Sequence, residues 1–212
     1  MKKTLGLLTF AAAGLFVVPI IAKAQITEGA FINGNLGSAS IDIGPIDGND
    51  TSYGVNAGCR WAVSPGALIG FEAGYVDLGS YSKLTLISLT QLTPIGEPPA
   101  DPEVYTVRVT NKMSGWTIGA TGRFNLSPNW YVGGRAGFLR ASFASRVRFL
   151  GSDSPLVPNK NFNSDGWYAG GGFGYDFSNN FSLGLNYDYY SAGSYGFNYD
   201  PDVVSVSGEY RF

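Results

Sequence analysis

Alternation of apolar and polar residues, repeated along almost the whole chain, leaves this sequence few folds. From Val203 to Phe212 the apolar or small residues fall on every second position: Val204, Val206, Gly208, Tyr210 and Phe212. Between them stand Ser205, Ser207, Glu209 and Arg211. A strand sends successive side chains to opposite faces. This segment therefore has one apolar face and one face of hydroxyls and both signs of charge. Seven upstream segments repeat the pattern. The spacing predicts strands at Thr27–Ile41, Thr51–Val63, Ala67–Asp77, Ser114–Leu126, Trp130–Ser142, Asp165–Phe177 and Phe181–Tyr190. Within the first, Ala30, Ile32, Gly34 and Leu36 share one face and Asn33 and Asn35 the other, while Phe31 is out of phase.

The connections between these segments predict how the strands close. Ser64-Pro65-Gly66, Ser127-Pro128-Asn129 and Ser178-Asn179-Asn180 are tight turns after the second, fourth and sixth strands. The other connections are long, near Asp42–Asp50, Leu78–Lys112, Phe143–Ser164 and Ser191–Asp202. Pro94, Pro98, Pro99 and Pro102 keep the centre of the second of these out of any central strand. Its flanks, Lys83–Leu92 and Glu103–Val109, are able to prolong their neighbours as a hairpin. Alternating short turns and long loops is the asymmetry of a barrel that crosses a membrane. Strands of about 10–13 residues are long enough to cross at the usual tilt. Aromatics mark both rims of the apolar face. Trp61, Phe124, Trp130, Phe177, Phe181 and Phe212 lie at the short-turn ends; Tyr53, Tyr75, Trp116, Phe138, Trp167 and Tyr189 lie at the long-loop ends. Trp61, Trp116, Trp130 and Trp167 are the anchors of two interfacial girdles around a band of Val, Ile, Leu, Ala, Phe and Gly. The expected fold is all-β, an eight-stranded antiparallel up-and-down transmembrane β-barrel. The apolar face meets lipid and the polar face meets a closed interior.

The first residues supply an address. Met1-Lys2-Lys3, an apolar run over Leu5–Ala22 and Ala22-Lys23-Ala24 read as a secretory signal peptide over residues 1–24, cleaved after Ala24. The barrel domain is then residues 25–212. All sixteen acidic residues fall in it, with eleven of the fourteen basic ones, a formal charge of −5. Without a basic run, nucleic acid is not an expected partner. Cys59 is the only cysteine, so no internal disulfide forms. It lies on an apolar face as a small hydrophobe.

The interior positions collect Arg60, Arg123, Arg135 and Arg211 with Glu72, Asp176, Asp188 and Glu209. An eight-stranded barrel is just wide enough for side chains to fill it. A charge buried there is costly unless paired. Four of each sign therefore read as a plug of ion pairs. The alternative is a narrow conductive path with movable salt bridges. Inward Gly170, Gly172 and Gly174 leave room for neighbours such as Tyr168 and the arginines, or reflect plain backbone closeness in a narrow barrel.

No histidine is present, which removes Ser-His-Asp and Cys-His catalysis and the commonest metal ligand. Asp42, Asp47, Gly48 and Asp50 lack the spacing of an EF-hand. No cofactor, metal or catalytic site is expected.

Signal peptide, eight alternating strands, loop asymmetry and the terminal Gly-Glu-Tyr-Arg-Phe together resemble the small outer-membrane β-barrels of Gram-negative bacteria, the OmpA-like membrane domain and its OmpX/Ail-type relatives. The resemblance spans the whole mature chain. Phe212, with Tyr210 and Val206 in phase, is similar to the signal read by the barrel-assembly machinery. The resemblance implies residence in the outer membrane and contact with its lipid and lipopolysaccharide. It also implies a structural or surface-interaction role, with extracellular loops as an adhesive or antigenic surface toward host or other cells. A narrow porin-like channel for small solutes is the alternative.

Overall fold

A computed structural model describes residues 28–43, 46–89, 103–149, 160–194 and 197–212. The proposed signal peptide lies outside these residues. Eight long strands form an antiparallel ring: β1 (Gly29–Ile43), β2 (Ile46–Ser64), β3 (Ala67–Leu89), β4 (Glu103–Asn125), β5 (Trp130–Phe149), β6 (Lys160–Asp176), β7 (Phe181–Ser194) and β9 (Asp202–Arg211). A ninth, short strand, β8 (Phe197–Tyr199), pairs with the end of β7 at Ala192–Ser194. From β1 to β8 each strand pairs with the next in the chain, and β9 sits between β7 and β1 to close the ring. Closure leaves no free edge around the ring itself.

The three tight turns fall where the sequence places them. Asn125 N donates to Gly66 O at 2.8 Å, Leu126 N to Trp130 O at 2.8 Å and Phe177 N to Phe181 O at 3.0 Å. The chain termini of the ring, Gly29 and Arg211, lie at this same end. At the other end the strands run well beyond the expected limits. β3 and β4 stay paired from Ala67–Phe124 up to Leu89–Glu103, with one register shift between Asp77 and Ser80, and β4 and β5 keep one register from Asn125–Tyr131 to Val107–Phe149. The flanks of the proline-rich connection thus extend β3 and β4, as their sequence allows. The first connection differs from expectation. Residues assigned to a loop at Asp42–Asp50 continue the β1–β2 ladder to Ile43–Ile46, with Asp42 opposite Asp47. Only residues 44–45 separate the two strands, and they lie outside the described residues.

Parity decides what faces where. Ile32, Leu36, Val55, Ile69, Phe71, Ile118, Phe138, Phe173, Leu185, Val204 and Val206 are exposed on the outer wall. Trp61 and Trp130 ring its short-turn rim and Trp116 and Trp167 its opposite rim, all about half or more exposed. The rim aromatics contact one another edge-on or tilted: Tyr75 with Trp116 at 5.2 Å, Trp130 with Tyr175 at 5.2 Å and Trp167 with Tyr189 at 5.3 Å. Cys59 is a free thiol on this wall. A wall this apolar and this exposed is unsuited to water.

Candidate functional site

Charged side chains of both signs converge in the interior of the ring. All eight charged residues assigned to it are buried or nearly so, and all eight pair. Toward the short turns, five form one network. Arg60 Nη1 donates to both oxygens of Glu209 at 2.8 and 2.9 Å. Arg123 Nη2 donates to both oxygens of Asp176 at 2.5 and 2.6 Å, and its Nη1 reaches Glu209 at 3.4 Å. Arg211 Nη2 donates to Asp176 at 2.8 Å. Farther along the axis, Arg135 makes a forked pair with Asp188, 2.7 Å on each arm, and approaches Glu72 at 3.8 Å. Tyr168 Oη donates to Glu72 at 3.0 Å. The first network holds three arginines and two carboxylates, the second one arginine and two carboxylates. Each carries a formal residue of charge, opposite in sign, so the interior balances only as a whole. Forked arginine–carboxylate geometry is the strongest form of such pairing.

Local sequence builds the shelf for these cations. The Arg60 guanidinium lies 3.8 Å over the ring of Phe31, and Arg123 lies 3.5 Å over Tyr131. Phe31, out of phase with an apolar outer face, is in phase with the interior and buried there. It serves as a cation–π platform, which is why an aromatic stands at that position. At the inward glycines both expected accounts hold in part: the side chains they make room for are not Tyr168 or an arginine, and the backbone carbonyls of Leu185 and Leu183 stand about as close to Gly172 and Gly174 as those side chains do. A methyl group at Gly170 would strike Asp188, one at Gly172 Asn186, and one at Gly174 the Tyr131 ring. Tyr168 instead packs beside Tyr190, 6.0 Å between ring centres.

Between the two networks lies a cavity of about 60 Å³, lined among others by Phe31, Asn56, Arg60, Glu72, Arg135 and Ser207. That volume is room for a few waters, not for a solute. Beyond Arg135 the interior changes character. Val76, Leu78, Met113, Leu139, Phe143, Tyr190 and Val203 are buried together as an apolar layer under the long hairpins. The sequence held the signal for this layer: Phe138 and Leu139 are consecutive apolar residues, and Ala141 and Phe143 keep the inward parity of Leu139. Among the described residues no cluster of His, Cys, Asp and Glu could hold a metal ion.

At the C-terminus, Val206 and Tyr210 are exposed on the outer wall, and Phe212 is 70% exposed. Tyr210 and Phe212 contact edge-to-face at 5.2 Å. The three residues thus form one ridge on the strand that closes the ring.

The model of the outer membrane protein beta-barrel domain family matches residues 8–212. The chain belongs to this family. It is a protein of the bacterial outer membrane. Among solved structures, Neisserial surface protein A is similar in fold, with TM-score 0.51, 14% identity and coverage of 87% of this chain and 97% of that one. Ail, the attachment invasion locus protein of Yersinia pestis, solved with the heparin analogue sucrose octasulfate, gives TM-score 0.50, 12% identity and coverage of 87% and 99%. The outer membrane protease OmpT from Escherichia coli gives TM-score 0.52, 9% identity and coverage of 90% and 100%. Likeness at these identities concerns the fold alone. No curated protein matches the sequence.

Proposed function

We propose that this outer-membrane barrel is a structural and surface-interaction protein, not a channel and not an enzyme. The interior carries this reading. Every buried charge there has a partner, and an apolar layer covers the ion-pair networks on the long-hairpin side. A pore for solutes needs a wide wet lumen, which eight strands do not enclose. The absence of histidine from the sequence removes the usual hydrolytic machinery. What remains available to partners is the set of extended hairpins. In this reading the short turns and the N-terminus of the mature chain face the periplasm, and the β1–β2, β3–β4 and β5–β6 hairpins face outward. Loops held on a rigid scaffold are the usual carriers of recognition, and adhesion to other cells is the role they fit.

Two measurements test it. In planar bilayers, purified refolded protein is expected to give no steady conductance above the bare membrane. A reproducible single-channel current would support the narrow channel instead. On intact cells, added protease is expected to cut within the long connections and leave Ser64-Pro65 and Asn179-Asn180 untouched. Cleavage at those turns from outside would reverse the orientation.

A further inference from the structure

No stretch of chain joins β1 directly to β9, because β1 is the first strand of the ring and β9 the last. No turn therefore sets the register of this seam, as turn length does for a hairpin. Alternation does not set it fully either. A slip of one residue would put the apolar wall inside, but a slip of two restores the parity of every side chain. Lipid accepts the result: Leu36, opposite Val206 in the native ladder, would stand opposite Val204 or Gly208. Little interlocks on the outer face of the seam. Gly34 stands opposite Gly208; a methyl group on Gly34 would meet no atom within 4 Å, and one on Gly208 only Leu183 and Phe181 of the next strand. Backbone hydrogen bonds are remade after such a slip, with the end rows alone lost.

The inward face is more exacting. Asn33 of β1 stands opposite Asn56 on one side and Glu209 on the other. Arg60, four residues along β2 from Asn56, lies over the Phe31 ring at 3.8 Å and donates to both oxygens of Glu209 at 2.8 and 2.9 Å. This pair steps over β1 and so spans the seam. On the other flank Arg123 of β4 reaches Glu209 at 3.4 Å, and Arg211 of β9 holds Asp176 of β6 at 2.8 Å. A slip of two residues carries an inward side chain about 7 Å along its strand. Hydrogen bonds of these lengths do not survive that displacement. Shape is a competing guide: a methyl group on Gly37 would strike the Val204 carbonyl and Ser205. It bars a larger residue from one row, whereas the charges locate β9 against β2, β4 and β6 at once.

We propose that the Arg60–Glu209 pair gauges the closing seam and selects one ladder among those the apolar pattern permits. Glu209 is the positioning residue, because it meets cations from both flanks of the ring. The device acts as the barrel closes and stands whether or not the hairpins bind a partner.

The test reads the register directly, in the full refolded barrel carrying Cys59→Ser. Leu36→Cys is combined in turn with Val206→Cys, Val204→Cys or Gly208→Cys on the outer wall. A disulfide joins directly opposed cysteines, and diagonal neighbours lie too far apart for one. With the native interior, only the pair at 36 and 206 is expected to cross-link. Arg60→Gln with Glu209→Gln keeps the formal charge of the network and leaves Arg123 and Arg211 on Asp176. It is expected to raise the slipped cross-links about tenfold or more, since a buried pair is worth more than that factor. Ser207→Glu with Glu209→Gln keeps every charge but moves the acid two residues, and should make the cross-link at 36 and 204 the major one. Arg135→Gln with Asp188→Asn removes a buried pair away from the seam, and should lower stability without slippage. Exclusive native register in either Glu209 variant that closes overturns the proposal and leaves shape at Gly37 as the guide. Slippage in the Arg135 variant overturns it too. So does failure of both Glu209 variants to close, because a gauge of register leaves backbone closure intact.

Discussion

At the scale of single residues, the interior of the barrel separates two kinds of ion pair. Arg123 is almost fully buried, holds Asp176 with two hydrogen bonds and touches Glu209. Arg140 and Asp165, also in contact, are 65% and 80% exposed. Removing one partner of a buried pair leaves a charge in low dielectric and costs about 3–5 kcal/mol. An exposed pair contributes about 0–1 kcal/mol. Arg123→Leu is therefore expected to lower the denaturant midpoint of the refolded protein strongly, while Arg140→Gln leaves it nearly unchanged. Small and equal shifts would mean that water reaches the networks and that no plug exists. Parity alone identified all eight members of these networks, because lipid on one side and a narrow lumen on the other forbid a mixed face. It could not say which arginine meets which carboxylate. That depends on strand stagger, as the Arg60–Glu209 pair, formed across β1, illustrates. Phe31, out of phase with the apolar face in the sequence, is inside for a related reason: its partner there is the Arg60 guanidinium, which parity alone does not name.

At the scale of the elements, the β3–β4 hairpin is the part least legible in the sequence. Within the membrane, two solvents enforce strict alternation. Beyond the rim both faces meet water, the pattern weakens, and the ends of β3 and β4 merge into a polar stretch. The ladder shifts register between Asp77 and Ser80, where Gly79 takes a φ of +84°. A side chain is strained in that region. Asp50 of β2 secures the bulge, accepting from Ser80 N at 2.5 Å and from the Ser80 hydroxyl at 3.2 Å. The Ser80 amide bond holds the Asp50 carboxyl below the ordinary aspartate value of 3.8. A carboxylate whose pKa is depressed by folding adds stability that is present above its unfolded pKa and lost as pH falls through the folded one. Amide exchange around Gly79–Ser80 is therefore expected to quicken once the pH drops below 3.8, relative to the β4–β5 ladder. Asp50→Asn should show the faster exchange already at neutral pH and lose the acid dependence. Unchanged protection in that variant would show that the bulge holds without Asp50.

At the scale of the whole molecule, the last strand closes the ring and carries the chain end to the rim. Phe212 N donates to Ala30 O at 3.0 Å, and Asn180 clasps Arg211 from the other side through its backbone oxygen at 2.7 Å and its side-chain amide at 2.7 Å. Backbone bonds therefore make the closure, and they do not depend on the Phe212 side chain. That side chain is the more exposed partner of its edge contact with Tyr210. Two roles are open to it. As a rim aromatic it is one of several favoured at the interface. As the end of an address made with Val206 and Tyr210, it acts before the barrel exists. The two roles separate because folding in detergent needs no address. Replacing an exposed aromatic removes only part of the burial energy of a ring, a few kcal/mol at most. Phe212→Ser is expected to refold in vitro with a denaturant midpoint close to wild type. In cells the same variant should reach the outer membrane in sharply reduced amount. Normal outer-membrane levels in cells would reduce Phe212 to a rim residue, and a matching loss in refolding yield would place its role in the fold itself.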